Sequence, residues 1–268
     1  MNRLTEAFKK HKAFISFVVA GDPDFQATVD HVVTLARAGS DIIELGIPFS
    51  DPIADGAEIQ AADLRAFKKG ITTEKVFELV TEIRKQTQVP LVFLTYLNIV
   101  FKYGYEAFIN RCSQVGVDGL IIPDLPLEEA DELLIHSNKK HVALIPLVAP
   151  TTSTIRLKQI VKQATGFVYV VSSMGITGVR NDFNKRLRTL VGEIKQATDL
   201  PTAIGFGVHE PQQAFDMTQF ADGVICGSAI VHQIYYKGGD VNQNLSDYVH
   251  LMRSAIDKPP KQNSDDQK

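Results

Sequence analysis

Glu44 stands in the run Asp41-Ile-Ile-Glu44-Leu-Gly-Ile, a stretch that otherwise reads as an apolar β-strand. Period-two alternation puts Ile43 and Leu45 on one face and Ile42, Glu44 and Gly46 on the other. If both faces are covered, Glu44 is a carboxyl inside a core. A carboxyl buried without a partner keeps its proton to higher pH, which suits a group that must give and take a proton near neutrality. Gly46, two residues on, leaves open space above that carboxyl. Asp51 and Asp55 follow in a loop broken by Pro52 and Gly56. A buried Glu with a loop Asp beyond it is a pair suited to acid–base work. Asp51, directly before Pro52, is read as shaping the turn.

A second chemical signal lies near the C-terminus, in Gly205-Phe206-Gly207 and Gly227-Ser228-Ala229-Ile230. Glycines let backbone N–H groups approach an anion, and a short helix starting at Ser228 would aim its N-terminus at it. One such pair alone would simply end a strand. Two on adjacent strands, one with a hydroxyl at a helix start, favour phosphate. Residues 172–178 form a glycine-containing loop with Thr177 inside it. Alone it is an ordinary connection; beside a buried Glu it reads as a lid whose threonine reaches an active-site acid. Phe17, Leu94 and Tyr169 on strands are core filler in most barrels. Phe206, flanked by glycines, suits the wall of a flat substrate. Asp124, in Pro123-Asp-Leu-Pro126, is read as a structural acceptor of loop N–H groups.

These residues need elements to hold them. Eight strand-like runs, at 13–21, 41–49, 90–98, 119–126, 143–150, 167–173, 201–207 and 222–228, alternate with stretches of helical spacing such as Val76, Leu79, Val80 and Ile83. Eight regular βα units without a linker predict a closed (β/α)8 barrel, the TIM barrel, as one catalytic domain over 1–257. A doubly wound open sheet is the alternative, and it gives no reason for eight regular units. Leu4, Ala7 and Phe8 predict an extra N-terminal helix under the barrel. The run 258–268, rich in Pro, Lys, Asn and Asp, reads as a disordered tail. In such barrels chemistry gathers at the C-terminal ends of the strands, and Glu44, Asp55, Tyr96, Tyr169, Gly207, Gly227 and Ser228 all fall there.

Composition narrows the classes. The 268 residues are 44% hydrophobic and 22% charged, as in an ordinary soluble globular protein, and the net charge of −3 gives no basic footprint for nucleic acid or membrane. No run approaches a membrane span, residues 1–12 lack a signal-peptide core, and Cys112 and Cys226 are spaced as core thiols, so a cytoplasmic home is expected. No lysine lies inside a strand-like run, which disfavours Schiff-base chemistry. The seven histidines do not gather at strand ends, so no metal site is expected, and His209 is read as a solvent-facing loop residue. What remains is cofactor-free acid–base chemistry on a phosphorylated small molecule, with other phosphate-sugar barrels such as epimerases as competitors.

The run from Glu44 to Gly56 closely resembles the signature of the tryptophan synthase α subunits. So do Gly21-Asp-Pro23, Tyr96-Leu-Asn98, Pro123-Asp-Leu-Pro126, Gly175-Ile-Thr-Gly178, Gly205-Phe-Gly207 and Gly227-Ser-Ala-Ile-Val231. The matches run from the first strand to the last. The resemblance implies retro-aldol cleavage of indole-3-glycerol phosphate to indole and glyceraldehyde 3-phosphate. It implies Glu44 as the proton shuttle and Asp55 as the second acid. It places Phe17, Leu94, Tyr96, Tyr169 and Phe206 around the indole, and Gly178, Gly207, Gly227 and Ser228 around phosphate. Thr177 becomes the lid threonine. It also implies a β-subunit partner in an α2β2 heterotetramer that receives the indole. No cofactor is implied in this chain, since pyridoxal phosphate belongs to that partner. Ala57 departs from the pattern, standing where many members carry proline. A free-standing lyase and a barrel kept only to activate a β subunit are the remaining variants of this reading.

Overall fold

The structure, a computed structural model, describes residues 3–172, 180–205 and 207–258, with 180–184 as backbone only. Its strands are β1 (Ala13–Val19), β2 (Ile42–Gly46), β3 (Leu91–Leu94), β4 (Gly119–Ile121), β5 (Ala143–Ile145), β6 (Leu147–Val148), β7 (Val168–Val171), β8 (Thr202–Gly205) and β9 (Gly223–Cys226). All pair in parallel, in the order β5-β4-β3-β2-β1-β9-β8-β7-β6. The expected fifth strand is therefore two short pieces. Pro146 sits between them and has no N–H to give a ladder. Below it β5 pairs with β4; above it β6 pairs with β7, and the Pro146 carbonyl accepts from Tyr169 N at 2.9 Å. One segment thus bonds to both ends of the sheet, and the sheet closes into the expected (β/α)8 barrel.

The helices are α1 (Arg3–Ala7), α2 (Phe25–Ala38), α3 (Ala57–Lys68), α4 (Thr73–Arg84), α5 (Leu97–Tyr103), α6 (Tyr105–Val115), α7 (Ala130–Lys140), α8 (Thr154–Gln163), α9 (Arg180–Ala197), α10 (Pro211–Thr218), α11 (Ser228–Tyr235) and α12 (Val241–Ile256). Local chemistry sets their ends. Asp24 caps α2 by accepting from Ala27 N, and Gly39 closes it at φ +114°, a conformation that favours glycine. The period-3.6 stripe read in the sequence is the buried face of α4, since Val76, Leu79, Val80 and Ile83 are all fully buried. Among the described residues no helix is long and apolar enough to cross a membrane. Of the run 258–268 only Lys258 is described, its N–H on the Ala255 carbonyl; 259–268 lie outside the described residues.

The lower end of the barrel is closed as the N-terminal pattern predicts. Leu4 of α1 is fully buried, and the Phe8 ring lies 5.4 Å from that of Phe167. The tie is ionic. Asp118, buried just before β4, accepts from Arg3 Nε at 2.7 Å, Arg84 Nη2 at 3.1 Å and Leu91 N at 2.8 Å. Burial, with Arg3 nearby, pushes the Arg84 guanidinium down to about 10. Removing the carboxylate leaves a buried cation facing a second one. Asp118→Ala is expected to lose about 3 kcal/mol of stability in urea unfolding; a loss within about 0.5 kcal/mol would contradict the role given to this cluster.

Candidate active site

Glu44 is placed by strand register. It pairs with Phe17 of β1 on one side and Val92 of β3 on the other, so all three side chains share the barrel's inner face. The residue is 2% exposed, and its Oε2 has no hydrogen-bond partner. Burial, and secondarily the charge of Asp55, raise its carboxyl to about 8. Glu44 therefore holds its proton at neutral pH. A cavity of about 510 Å³ opens above it at the C-terminal ends of the strands, with Phe17, Leu94, Tyr169 and Asp55 in its lining.

Gly46 does not leave that space open, contrary to expectation. A Cβ there would lie 2.8 Å from Cε2 and Cζ of Phe17, so the glycine exists to admit the Phe17 ring. Gly205 does the same for Tyr169, whose hydroxyl oxygen lies 2.1 Å from where a Cβ would be. Two strand glycines thus let two rings lean into the barrel. The result is a cavity walled by two aromatic rings above a protonated carboxyl.

Asp55 reaches the cavity from the loop between β2 and α3. Its Oδ2 accepts from the Tyr96 hydroxyl at 2.8 Å, and that same oxygen of Tyr96 accepts from Ala54 N at 3.0 Å. The Tyr96 ring stacks on Phe49 at 4.9 Å. Tyr96 was expected to contact a substrate ring, but it is absent from the cavity lining. It holds the Asp55 loop instead. Burial raises the Asp55 carboxyl and the Tyr96 bond opposes this. Asp124 takes the structural part expected of it: its Oδ1 accepts from Leu97 N at 2.9 Å, at the start of α5.

One acid escaped the sequence reading. Asp63 of α3 is 5% exposed and raised to about 8 by burial and then by Asp55, with a hydrogen bond to the Phe49 backbone opposing this. The signal was present, because Ile59, Ala62, Asp63 and Ala66 fall at helical i, i+3, i+4, i+7 spacing and Asp63 sits on the buried stripe.

The far rim of the cavity carries Gly207, Gly227 and Ser228. Gly207 has φ +88°, which glycine alone adopts freely. Gly227 precedes α11, whose first N–H groups point out of the helix as at any helix start. Ile230 N and Val231 N are already spent on the Gly227 carbonyl at 2.8 and 3.2 Å. This is a cradle of the sort that takes phosphate. His209 lines the cavity, though it was read as a solvent-facing loop residue; it is about half exposed, and its Nδ1 contacts the Gly207 carbonyl at 2.8 Å. His232 and Tyr248 also line it, and neither was anticipated. Phe206, Thr177 and Gly178 lie outside the described residues. Among the described residues no group of three His, Cys, Asp or Glu side chains could hold a metal ion.

Comparison with known proteins agrees along nearly the whole chain. Residues 4–258 match the family model described as tryptophan synthase alpha chain. The tryptophan synthase alpha chain of Lactiplantibacillus plantarum is 58% identical over 257 residues, covering 96% of this chain and 97% of that one. The crystal structure of tryptophan synthase subunit alpha from Legionella pneumophila superposes with a TM-score of 0.88 at 35% identity, covering 96% of this chain and 99% of that one. A chain of tryptophan synthase from M. tuberculosis in its aminoacrylate-bound form gives 0.86 at 32%, covering 96% and 100%. With an inner-face glutamate, a loop aspartate and a glycine cradle set around one cavity, this chain belongs to the tryptophan synthase alpha chain family.

Proposed function

We propose that the chain is the lyase subunit of a tryptophan synthase, cleaving indole-3-glycerol phosphate to indole and glyceraldehyde 3-phosphate within a single catalytic domain over residues 1–257. The observation that carries this reading is Glu44: a carboxyl 2% exposed, raised to about 8, beneath a cavity walled by two aromatic rings. Indole leaves poorly as a carbanion, so C3 must be protonated before the C–C bond breaks. Glu44 gives its proton to C3, which makes the ring a cationic indolenine. Asp55, in the same cavity, offsets the positive charge at the ring nitrogen. The Glu44 carboxylate then takes the proton of the glycerol hydroxyl adjacent to C3. That C–O becomes the aldehyde C=O, the C–C bond breaks, and its electron pair returns to the ring as neutral indole. Glu44 ends protonated, as it began.

Phe17, Leu94 and Tyr169 hold the ring, and Gly207, Gly227 and Ser228 hold the phosphate, assisted by Gly178, with Phe206 at the ring and Thr177 in the lid. Binding the phosphate away from the reacting bond fixes orientation at C3. Tyr96 acts by aiming Asp55. The indole then passes to a β-subunit partner in an α2β2 assembly, which carries the pyridoxal phosphate; this chain needs no cofactor for its own step and works in the cytoplasm. Ile53, 83% exposed on the Asp55 loop, offers an apolar contact for that partner beside the active site. Contact there gives the partner a direct lever on Asp55. A free-standing lyase would use the same residues.

Three measurements test this. Glu44→Gln is expected to lower kcat by at least 10²-fold with the fold and phosphate affinity retained; near-normal turnover by the folded variant would remove Glu44 from the chemistry. Asp55→Asn should lower kcat strongly with a small change in KM, and a loss confined to KM would make Asp55 a binding residue. Indole release should rise sharply on adding a matched β subunit, whereas fast release unchanged by it would favour the free-standing reading.

Stability gives an independent check. The folded protein holds the Glu44 proton up to about 8, whereas the ordinary value is 4.5, so the fold binds that proton more tightly than the unfolded chain does. Its contribution is fully present below 4.5 and is lost as pH rises toward 8. Glutamine does not titrate. Glu44→Gln should therefore melt above the wild type at pH 8, by about 2–4 °C for each kcal/mol recovered, with the gap closing toward pH 4.5. A gap that is the same at every pH would contradict the buried, protonated carboxyl.

A further inference from the structure

A substrate with its ring nitrogen at Asp55 and its phosphate at Gly227 and Ser228 must touch two helices at once. α3 holds the first group: Gln60 Nε2 donates to the Asp55 carbonyl at 2.8 Å, and Ile59 N and Gln60 N both close on the Gly56 carbonyl at 3.0 Å. α11 holds the second, through Ile230 N and Val231 N on the Gly227 carbonyl. Glu58 and Ile59 near the start of α3, and Ser228 and Ala229 at the start of α11, line the cavity. The placing of α3 against α11 therefore sets the span from the loop acid to the glycine cradle.

Arg65 joins these two helices further along. Its Nε donates to Asp22 Oδ1 at 2.7 Å and its Nη2 to Asp22 Oδ2 at 2.8 Å. Both carboxylate oxygens are engaged, which fixes the plane of the guanidinium. Asp22 is 2% exposed and stands just past β1, its N–H on the Val19 carbonyl at 3.3 Å. The face of the guanidinium lies over Tyr235, the last residue of α11, with Cζ 3.8 Å from the ring centroid. A cation over an aromatic face is held there by the ring's charge distribution. Asp22, Arg65 and Tyr235 all stand outside the cavity lining. One side chain thus ties the end of β1, the strand that carries Phe17, to α3 and to α11.

We propose that Arg65 is a positioning residue: clamped by Asp22 and stacked on Tyr235, it sets α3 against α11 and so fixes the span between Asp55 and the Gly227–Ser228 cradle. The inference rests on the reading of those two groups as the ends of one substrate site. It predicts a loss felt by a ligand that spans both ends and not by one that fills the cradle alone.

Tyr235 is the place to cut, because it is 52% exposed and its truncation leaves the buried Asp22–Arg65 pair intact. Nitroxide labels at Leu64→Cys on α3 and Lys237→Cys just past α11, both exposed positions, report the helix spacing by pulsed electron resonance; the native Cys112 and Cys226 are buried. Tyr235→Ala should shift or broaden the label distance. In the unlabelled full chain with a matched β subunit it should lower kcat/KM for indole-3-glycerol phosphate about tenfold, with the affinity for inorganic phosphate within about twofold. Tyr235→Phe keeps the ring face and should match the wild type in all three. Arg65→Lys keeps the charge and loses the flat fork, so it should act like Tyr235→Ala, and the double variant should be no worse than the poorer single. An unchanged label distance in folded Tyr235→Ala would overturn the clamp. A loss of inorganic phosphate affinity as large as the loss in kcat/KM would overturn the span-setting role, since the cradle itself would then be damaged. If the wild type with its β subunit releases no indole, the lyase reading fails, and the label distance still decides whether Arg65 and Tyr235 set the two helices.

Discussion

Closing a parallel barrel around a carboxyl that has no cationic partner is the constraint on which the rest of the molecule depends. The closure requires β5 and β6 to bond opposite edges of the sheet around Pro146. Once closed, the inner face of β2 is cut off from water, and Glu44 is left with one oxygen unpartnered. Such a group favours its neutral form. The fold gives up stability at neutral pH to keep it there, and in return carries an acid that is charged with its proton when substrate binds. Nothing local to Glu44 produces this property. It comes from the barrel wall.

The surrounding residues divide according to how firmly they must be held. The ring walls stand on strands, and the close approach of Phe17 to Gly46 and of Tyr169 to Gly205 leaves them little freedom. Asp55 stands on a loop and is steadied by Tyr96, which is itself stacked on Phe49 and bonded to Ala54. Asp63 lies behind this loop as a second raised carboxyl, bonded to the Phe49 backbone. A loop-borne acid with a jointed support can be moved by a partner, whereas a strand-borne acid cannot. The division fits the roles proposed for them, Glu44 as a fixed proton source and Asp55 as an adjustable charge stabiliser.

Much of this was legible in the sequence, and the parts that were not share a cause. Strand positions followed from the apolar runs, and the shared face of Glu44 and Gly46 followed from strand alternation; the company of Phe17, Leu94 and Tyr169 in the cavity lining came with the structure. The predicted strands ran too long because the apolar run continues into the loop: 41–49 became Ile42–Gly46 once Pro48 and the turn intervened. The support Tyr96 gives to Asp55 could not be read, because the two lie 41 positions apart and the loop's path leaves no periodicity. The openness inferred above Gly46 failed because a glycine can mark space left for substrate or space taken by a neighbouring ring, and only the register with β1 decides.

The most direct measurement is a carbon-13 NMR titration of the Glu44 side-chain carboxyl in the intact chain, assigned by comparison with Glu44→Gln. The account predicts a midpoint near 8, moving down when Asp55 is replaced by Asn, because burial is the first cause of the shift and the Asp55 charge the second. A midpoint near the ordinary 4.5 would mean that Glu44 is ionised when substrate arrives, and the proton delivery at the centre of this account would be wrong.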